Sequence, residues 1–406
     1  MSPSTALPPN APAAPTTDIH WADPVRQDQF GAWFNQVQVA HQLDASTLGL
    51  ASADASFRRY FRVQGSNGTL VIMDAPPDKE NCQPFVDIAK LLAQAGLRAP
   101  DILDWDQPHG FMLLSDLGTQ TMMQFMAARG DLSPTFSVTG QALSAPPLDL
   151  YLGAVDTLVQ WQLASKPDVL PPYDHALLLR ELELFPQWYI SAHRQVALEA
   201  SQRKVLDDTF ALLIDNNLSW PSVYVHRDFM PRNLMVPNEA PMLGTGVSSL
   251  PPEGAPAARG GPAPLTLGPR YFGVLDFQDA VYGPITYDIA SLMRDAFLSW
   301  DESFCLDVTI RYWEKARKAG LPVGDDFGEF YRGVEWMGLQ RHLKIAGIFA
   351  RLTLRDGKPK YLADTPRFID YIRSTCGRYM QLKPLLRLVE NIEGIETPQV
   401  FAFGRS

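Results

Sequence analysis

The chain has 406 residues, 46% hydrophobic and 20% charged, with a net charge of −10, the balance of a soluble globular protein long enough for two lobes. The acidity argues against nucleic acid or an anionic membrane surface as partner, since either calls for a basic face, and no apolar run approaches the roughly 18 residues of a membrane span. Three cysteines, Cys82, Cys305 and Cys376, are far apart and odd in number, which fits a reduced, cytoplasmic setting better than a disulfide framework or a zinc site.

Residues 1–24 are rich in proline and alanine and lack both a basic start and an apolar stretch, so they read as a disordered tail and not as a signal peptide. From Gln27 to Gln42, Phe30, Trp33, Phe34 and Val37 recur at helical spacing. Two strand-like runs follow, Tyr60 to Gln64 and Thr69 to Asp74, around a Gly65-Ser66-Asn67-Gly68 turn. A helix over Pro84 to Ala95 stops at Gly96. Strands Ile102 to Trp105 and Phe111 to Leu114 complete a small β-rich lobe, 25–116, carrying one helix on its sheet.

Beyond Gly118 the three-and-four periodicity of helices dominates, over Thr121 to Ala128, Leu148 to Ala164, Tyr173 to Ala192, Ser201 to Asn217, Tyr287 to Trp300, Ser303 to Ala319, Asp326 to Leu354 and Pro366 to Val389. Two stretches, 131–147 and 237–270, are crowded with proline, glycine and small polar residues and read as flexible insertions. The expected fold class is therefore α+β, with a small β-rich N-terminal lobe and a larger helical lobe over 117–406.

Inside the helical lobe, Val225-His226-Arg227-Asp228-Phe229-Met230-Pro231-Arg232-Asn233-Leu234-Met235-Val236 and the later Val274-Leu275-Asp276-Phe277 place a carboxylate, an amide and a second carboxylate at the ends of short apolar strands. Those are the parts needed to move a phosphoryl group from magnesium-bound ATP to a hydroxyl. Asp228 would orient and deprotonate the acceptor. Asn233 and Asp276 carry the oxygen ligands that magnesium prefers. Asn233 and Asp276 are 43 residues apart, too far for a plain hairpin. The insertion at 237–270 accounts for the distance if it is the tip of a hairpin whose strands bring the two side chains together. Two unrelated strands are the alternative.

At HRDFMPRN and DF the chain resembles the aminoglycoside phosphotransferase-like kinases, a protein-kinase-like two-lobe group acting on small hydroxylated molecules. Within it, the segments Ala53 to Arg62, Val71 to Pro77 with Glu80 to Phe85, Glu181 to Tyr189, and Gln340 to Leu352 resemble the anomeric N-acetylmuramate/N-acetylglucosamine kinases of bacterial cell-wall (peptidoglycan) recycling. The resemblance covers most of 25–390. It implies an enzyme making the sugar 1-phosphate from ATP and the amino sugar, with Asp228 as base and Asn233 and Asp276 on magnesium; a monomer is the expected state, separately from the resemblance. It further implies adenine between the lobes against the backbone of Ser115, Asp116 and Leu117, and Asp288, in Gly283 to Ala290, bracing the catalytic loop. One departure stands out. The strand Leu70-Val71-Ile72-Met73 carries methionine where such kinases place a phosphate-binding lysine. Arg58, Arg59 and Arg62 are the candidate replacements, since arginine grips phosphate bidentately; on a strand, Arg58 and Arg62 share one face and Arg59 takes the other.

Several residues admit two readings. His226 is a general base or, more simply, a histidine packed under the loop and bonded to backbone; Arg227 bridges to a carboxylate or faces solvent. Glu181 touches a sugar hydroxyl or lies with Glu183 on a solvated helix, though residues two apart do not share a face. Arg341, His342 and Lys344 meet the lactyl carboxylate of muramate or form a surface basic cluster. The helical tryptophans Trp161, Trp188, Trp300, Trp313 and Trp336 read as core before sugar platform. Two other functions compete: a non-catalytic nucleotide-binding module on a kinase scaffold, motivated by the missing lysine, and a kinase of the same fold for an aminoglycoside, choline or protein hydroxyl. Sequence leaves open the preferred amino sugar, its anomer, the oligomeric state and the source of the phosphate-binding charge.

Overall fold

The computed structural model describes residues 19–53, 57–132, 146–237 and 271–395. The expected insertions thus lie largely outside the described residues, as do residues 1–18 of the expected tail. The chain divides into two compact units, one comprising the residues up to Ala93 with Arg98–Gly118, the other Gln94–Leu97 with the residues from Thr119 onward.

The first unit opens with α1 (Pro24–His41), capped by the Asp23 carboxylate on Val25 N–H, with proline at its first position. Proline is tolerated there because that N–H has no helical partner to lose. The antiparallel sheet has the order β1 (Asp44–Ala53), β2 (Arg59–Gly65), β3 (Gly68–Asp74), β5 (Phe111–Ser115), β4 (Ile102–Asp106), with α2 (Gln83–Gln94) between β3 and β4 in the chain. Gly65 pairs with Gly68 across a two-residue turn, where Gly68 has φ +127°, a conformation that favours glycine. The aromatic face of α1 packs on the sheet: Phe30, Trp33, Phe34 and Val37 form one core with Phe61, Val63, Ile72, Phe111 and Leu113. Ile19 and Trp21, within the stretch that composition assigns to the tail, pack against that core as well. Strand β1 was not expected, because its Ala, Ser and Gly content carries little strand signal; pairing with β2 supplies what propensity does not.

The second unit holds α3 (Met122–Arg129), α4 (Leu148–Leu163), α5 (His175–Leu182) and α6 (Ala200–Leu218), then β6 (Ser222–Val225), β7 (Leu234–Met235), β8 (Gly273–Val274) and β9 (Val281–Pro284). It ends with α7 (Thr286–Met293), α8 (Glu302–Lys318), α9 (Phe327–Leu354), α10 (Thr365–Arg378) and α11 (Lys383–Glu393). Three expected helices are interrupted. The one over 173–192 becomes α5 followed by a π-helical stretch, Phe185–His193, with Pro186 at its start. The one over 287–300 ends at Met293, after which the Asp295 carboxylate accepts from Phe297 N–H and turns the chain. The one over 366–389 breaks at Tyr379, whose backbone is extended.

Helix α9 is the axis of this unit, nearly all of it buried from Gly333 to Gly347. That buried stretch includes Glu335, Gln340, Arg341, His342 and Lys344 beside its apolar residues, so their polar groups need partners inside the fold. Gly347 lets it approach the π-helical segment: a Cβ there would lie 2.4 Å from the Leu184 carbonyl carbon. Gly347→Ala therefore forces backbone apart and is expected to cost about 2–3 kcal/mol, whereas Gly31→Ala in α1, where a Cβ meets nothing within 4 Å, is expected to gain up to about 1 kcal/mol. Urea denaturation of both variants measures the contrast; equal effects would contradict the packing.

Candidate active site

Two small antiparallel pairs build the site, both within the second unit. Strand β6 pairs with β9 through Val223 to Gly283 and Val225 to Val281, and delivers His226, Arg227 and Asp228 at its end. A 3-10 turn, Pro231–Asn233, leads into β7, which pairs with β8 through Leu234 to Val274 and Met235 to Gly273. The hairpin expected across the insertion is present, and it sets the Asn233 amide nitrogen 3.5 Å from the Asp276 carboxylate. Asn233 is buried, and its side-chain amide nitrogen also donates to the Asp228 carbonyl at 2.9 Å, while its backbone carbonyl accepts from Leu275 N–H. Asp276 is exposed, has φ +60°, and accepts from Gln278 Nε2 at 2.8 Å.

The Asp228 side chain is half-buried, and among the described residues its carboxylate accepts no hydrogen bond, while its backbone is tied on both sides. His226 is buried under the loop. Its Nδ1 accepts from Asp228 N–H at 3.2 Å and its Nε2 lies 2.9 Å from the Leu275 carbonyl. Only the neutral tautomer protonated on Nε2 satisfies both contacts. Burial lowers the His226 pKa, against the opposing pull of Asp288 and Asp228. The packed, backbone-bonded histidine is thus the reading the geometry takes, and Nδ1 is occupied by the loop itself.

Asp288, in the first turn of α7 and fully buried, accepts from His226 N–H at 2.7 Å and Arg227 N–H at 3.0 Å. Burial raises its pKa to about 6 despite the opposing effects of His226 and the two N–H groups. Glu181 and Arg341 are also buried, so neither the solvated helix face nor the surface basic cluster is found. One Glu181 oxygen pairs with Arg227 at 2.5 Å and Lys344 at 3.1 Å, and the other accepts from Tyr173 Oη at 2.5 Å and Gln340 at 3.1 Å. Burial pushes the Glu181 carboxyl up, but Lys344 and Arg227 outweigh it and hold the pKa at about 2. Glu183, on another face, pairs with Arg203. Arg341 Nη1 donates to the Arg227 carbonyl at 2.6 Å, and its guanidinium lies 4.8 Å from the Tyr287 ring centre. His342 is buried too, with Nε2 3.2 Å from the Arg294 carbonyl, and burial lowers its pKa to about 3. Trp161 and Trp336 are core residues.

In the first unit the three arginines have separate partners. Arg59 grips Asp74 and lies 4.0 Å from the Trp21 ring centre; Arg62 bonds Asp116 at 2.7 Å and the Gly118 carbonyl at 3.0 Å. Arg58, buried, pairs with Glu80 at 3.1 Å. Met73, the methionine at the expected lysine position, is fully buried. Ser115 exchanges hydrogen bonds with Asp101, its N–H donating to the Asp101 carbonyl and its Oγ accepting from Asp101 N–H. The Asp116 carboxylate accepts from Thr69 and Gly118 N–H as well as Arg62, and Leu117 is buried. The residues that sequence reasoning missed are Lys344, Gln340 and Tyr173 as partners of Glu181. No local signal marked the basic residues of α9 as inward-facing, since Glu181 lies about 160 residues away in the chain.

The family model described as "Phosphotransferase enzyme family" matches residues 47–247 and 265–325. The chain is 43% identical over 372 residues to the N-acetylmuramate/N-acetylglucosamine kinase of Neisseria meningitidis serogroup B, covering 91% of this chain and 97% of that protein. It is 41% identical to the protein of the same name from Pseudomonas putida, covering 92% and 95%. Among solved structures, a choline/ethanolamine kinase family protein from Mesorhizobium loti superposes with a TM-score of 0.54 at 13% identity, covering 90% of this chain and 99% of that one. The ADP-bound aminoglycoside phosphotransferase APH(2'')-Ib superposes with a TM-score of 0.50 at 12% identity, covering 83% and 96%. These likenesses establish a shared α+β fold with the kinase-like structures. With the family model spanning more than half of the sequence and relatives above 40% identity along nearly all of it, the chain belongs to the phosphotransferase enzyme family.

Proposed function

We propose that this ATP-dependent sugar kinase phosphorylates the anomeric hydroxyl of N-acetylmuramate, N-acetylglucosamine or both. The observation that carries the reading is the convergence of Asp228, Asn233 and Asp276 at the ends of β6, β7 and β8, in a chain 43% identical to a kinase named for those two sugars. Asp228 is the base. Its carboxylate is half-exposed beside a backbone tied on both sides, so it meets an acceptor hydroxyl without first giving up a protein partner.

Asn233 and Asp276 suit magnesium. They are one amide and one carboxylate 3.5 Å apart, and among the described residues no larger group of potential metal ligands occurs; a magnesium ion in such enzymes takes few protein ligands and completes its shell with phosphate and water. Asn233 donates its amide nitrogen to the Asp228 carbonyl, which leaves its side-chain oxygen for the ion and would link ion and base through one side chain. Bound magnesium supplies the positive charge that offsets charge building on the transferred phosphoryl group.

Arg58 is our choice to replace the missing lysine. Its pair with Glu80, just ahead of α2, parallels the lysine–glutamate pair by which kinases hold a phosphate-binding cation, while Arg59 and Arg62 each brace a carboxylate of their own unit. The adenine edge falls to the backbone at Asp116 and Leu117, since the Ser115 N–H is bonded to Asp101. A monomer in the cytoplasm completes the reading. Among the described residues no helix is long and apolar enough to cross a membrane, and all three cysteines are free and buried.

Mass spectrometry of reactions with ATP and a panel of N-acetylmuramate, N-acetylglucosamine, an aminoglycoside and choline is expected to find phosphate on an amino sugar only. Phosphate on the aminoglycoside or choline alone would overturn the substrate reading, and no ATP consumption with any acceptor would favour the binding module. Asp276→Ala is expected to weaken magnesium-dependent nucleotide binding, read by calorimetry with and without the ion; unchanged magnesium dependence would contradict its role. Arg58→Gln is expected to raise KM for ATP about tenfold or more while Arg59→Gln leaves it near normal, and the reverse order would move the phosphate contact to Arg59.

A further inference from the structure

Arg227 is a non-glycine residue with φ +77°, in the left-handed region that costs such residues of order 1 kcal/mol or more and persists only where surroundings over-determine it. Its surroundings do so from three helices. Its N–H donates to Asp288 of α7, its carbonyl accepts from Arg341 of α9, and its guanidinium pairs with Glu181 of α5. The peptide unit between Arg227 and Asp228 is consequently gripped at both ends, by Arg341 on the carbonyl and by His226 Nδ1 on the N–H. Lys344, Gln340 and Tyr173 hold Glu181 in turn. Those contacts account for both Glu181 oxygens, and the residue is 5% exposed while Arg341 is 1% exposed.

We propose that Glu181 and Arg341 are positioning residues, a buried electrostatic clamp that fixes the Arg227 turn and thereby aims the Asp228 carboxylate, and not ligands of the acceptor sugar. The inference rests on Asp228 as the base. A misaim of about 1 Å at a reacting group costs on the order of a hundredfold in rate, so the clamp acts on turnover and leaves ground-state binding largely alone.

The test is steady-state kinetics of Glu181→Gln, Arg341→Gln and Arg341→Lys, with folding checked by thermal melts and nucleotide affinity by calorimetry. Both glutamine variants are expected to lose roughly 10- to 100-fold in kcat, with KM for the sugar within about threefold of wild type and ADP binding intact. Arg341→Lys, which keeps a donor for the Arg227 carbonyl, is expected to recover part of that loss. A tenfold rise in sugar KM with kcat preserved would overturn the proposal in favour of a sugar ligand, and folded variants with wild-type kcat and KM would reduce the network to packing. Should Glu181→Gln fail to fold, Tyr173→Phe, which removes one donor to Glu181 and little volume, gives the same reading on a smaller scale. Wild-type enzyme run alongside separates the two claims. If it makes no sugar phosphate, the substrate reading fails, and the clamp is then read from magnesium-dependent ATP hydrolysis, where the same kcat losses support it and undiminished rates overturn it.

Discussion

The peptide unit joining Arg227 to Asp228 is held at its carbonyl by Arg341 and at its N–H by His226, and the next carbonyl is held by Asn233. Everything proposed for the site depends on that restraint. A carboxylate on a loop of ordinary freedom would sample many directions; one whose flanking backbone is bonded on both sides has only its own side-chain torsions left. Because the loop follows a strand of only four residues, strand pairing alone could not impose this, and side chains from α5, α7 and α9 do it instead.

The electrostatics around Glu181 are self-contained. Glu181 faces Arg227 and Lys344, so one buried anion meets two cations. Burial of an ion pair is tolerated only where geometry is good and the remaining hydrogen-bonding capacity is met, and Tyr173 and Gln340 meet it at the second oxygen. Asp288 is arranged differently. It faces two backbone N–H groups, and burial dominates its titration. Helix α9 can carry Arg341, His342 and Lys344 inside the unit because each has a partner waiting on another element.

How much of this was legible in the sequence follows from how local each signal is. The β2–β3 turn announces itself through Gly65 and Gly68, and the aromatic stripe of α1 through its spacing. The β7–β8 pair was legible across 43 residues because HRD, the asparagine and the DF pair belong to one chemistry, and the intervening composition offered no competing structure. Strand β1 was not legible, since Ala, Ser and Gly there gain strand character only from β2. The end of α7 depends on a side-chain bond from Asp295 that periodicity does not record. The basic run in α9 read as surface because charge is a local property of the sequence, whereas the compensating Glu181 is about 160 residues away.

In the proposed reaction Asp228 is the base, and its replacement is the most direct trial of the account. In Asp228→Asn, shape and backbone bonds are retained while the proton acceptor is lost, so single-turnover formation of sugar phosphate from bound ATP is expected to fall by at least about a hundredfold, with nucleotide affinity by calorimetry near wild type. Single-turnover rates that match the wild type would contradict the assignment of the base, and with it the site built around that loop.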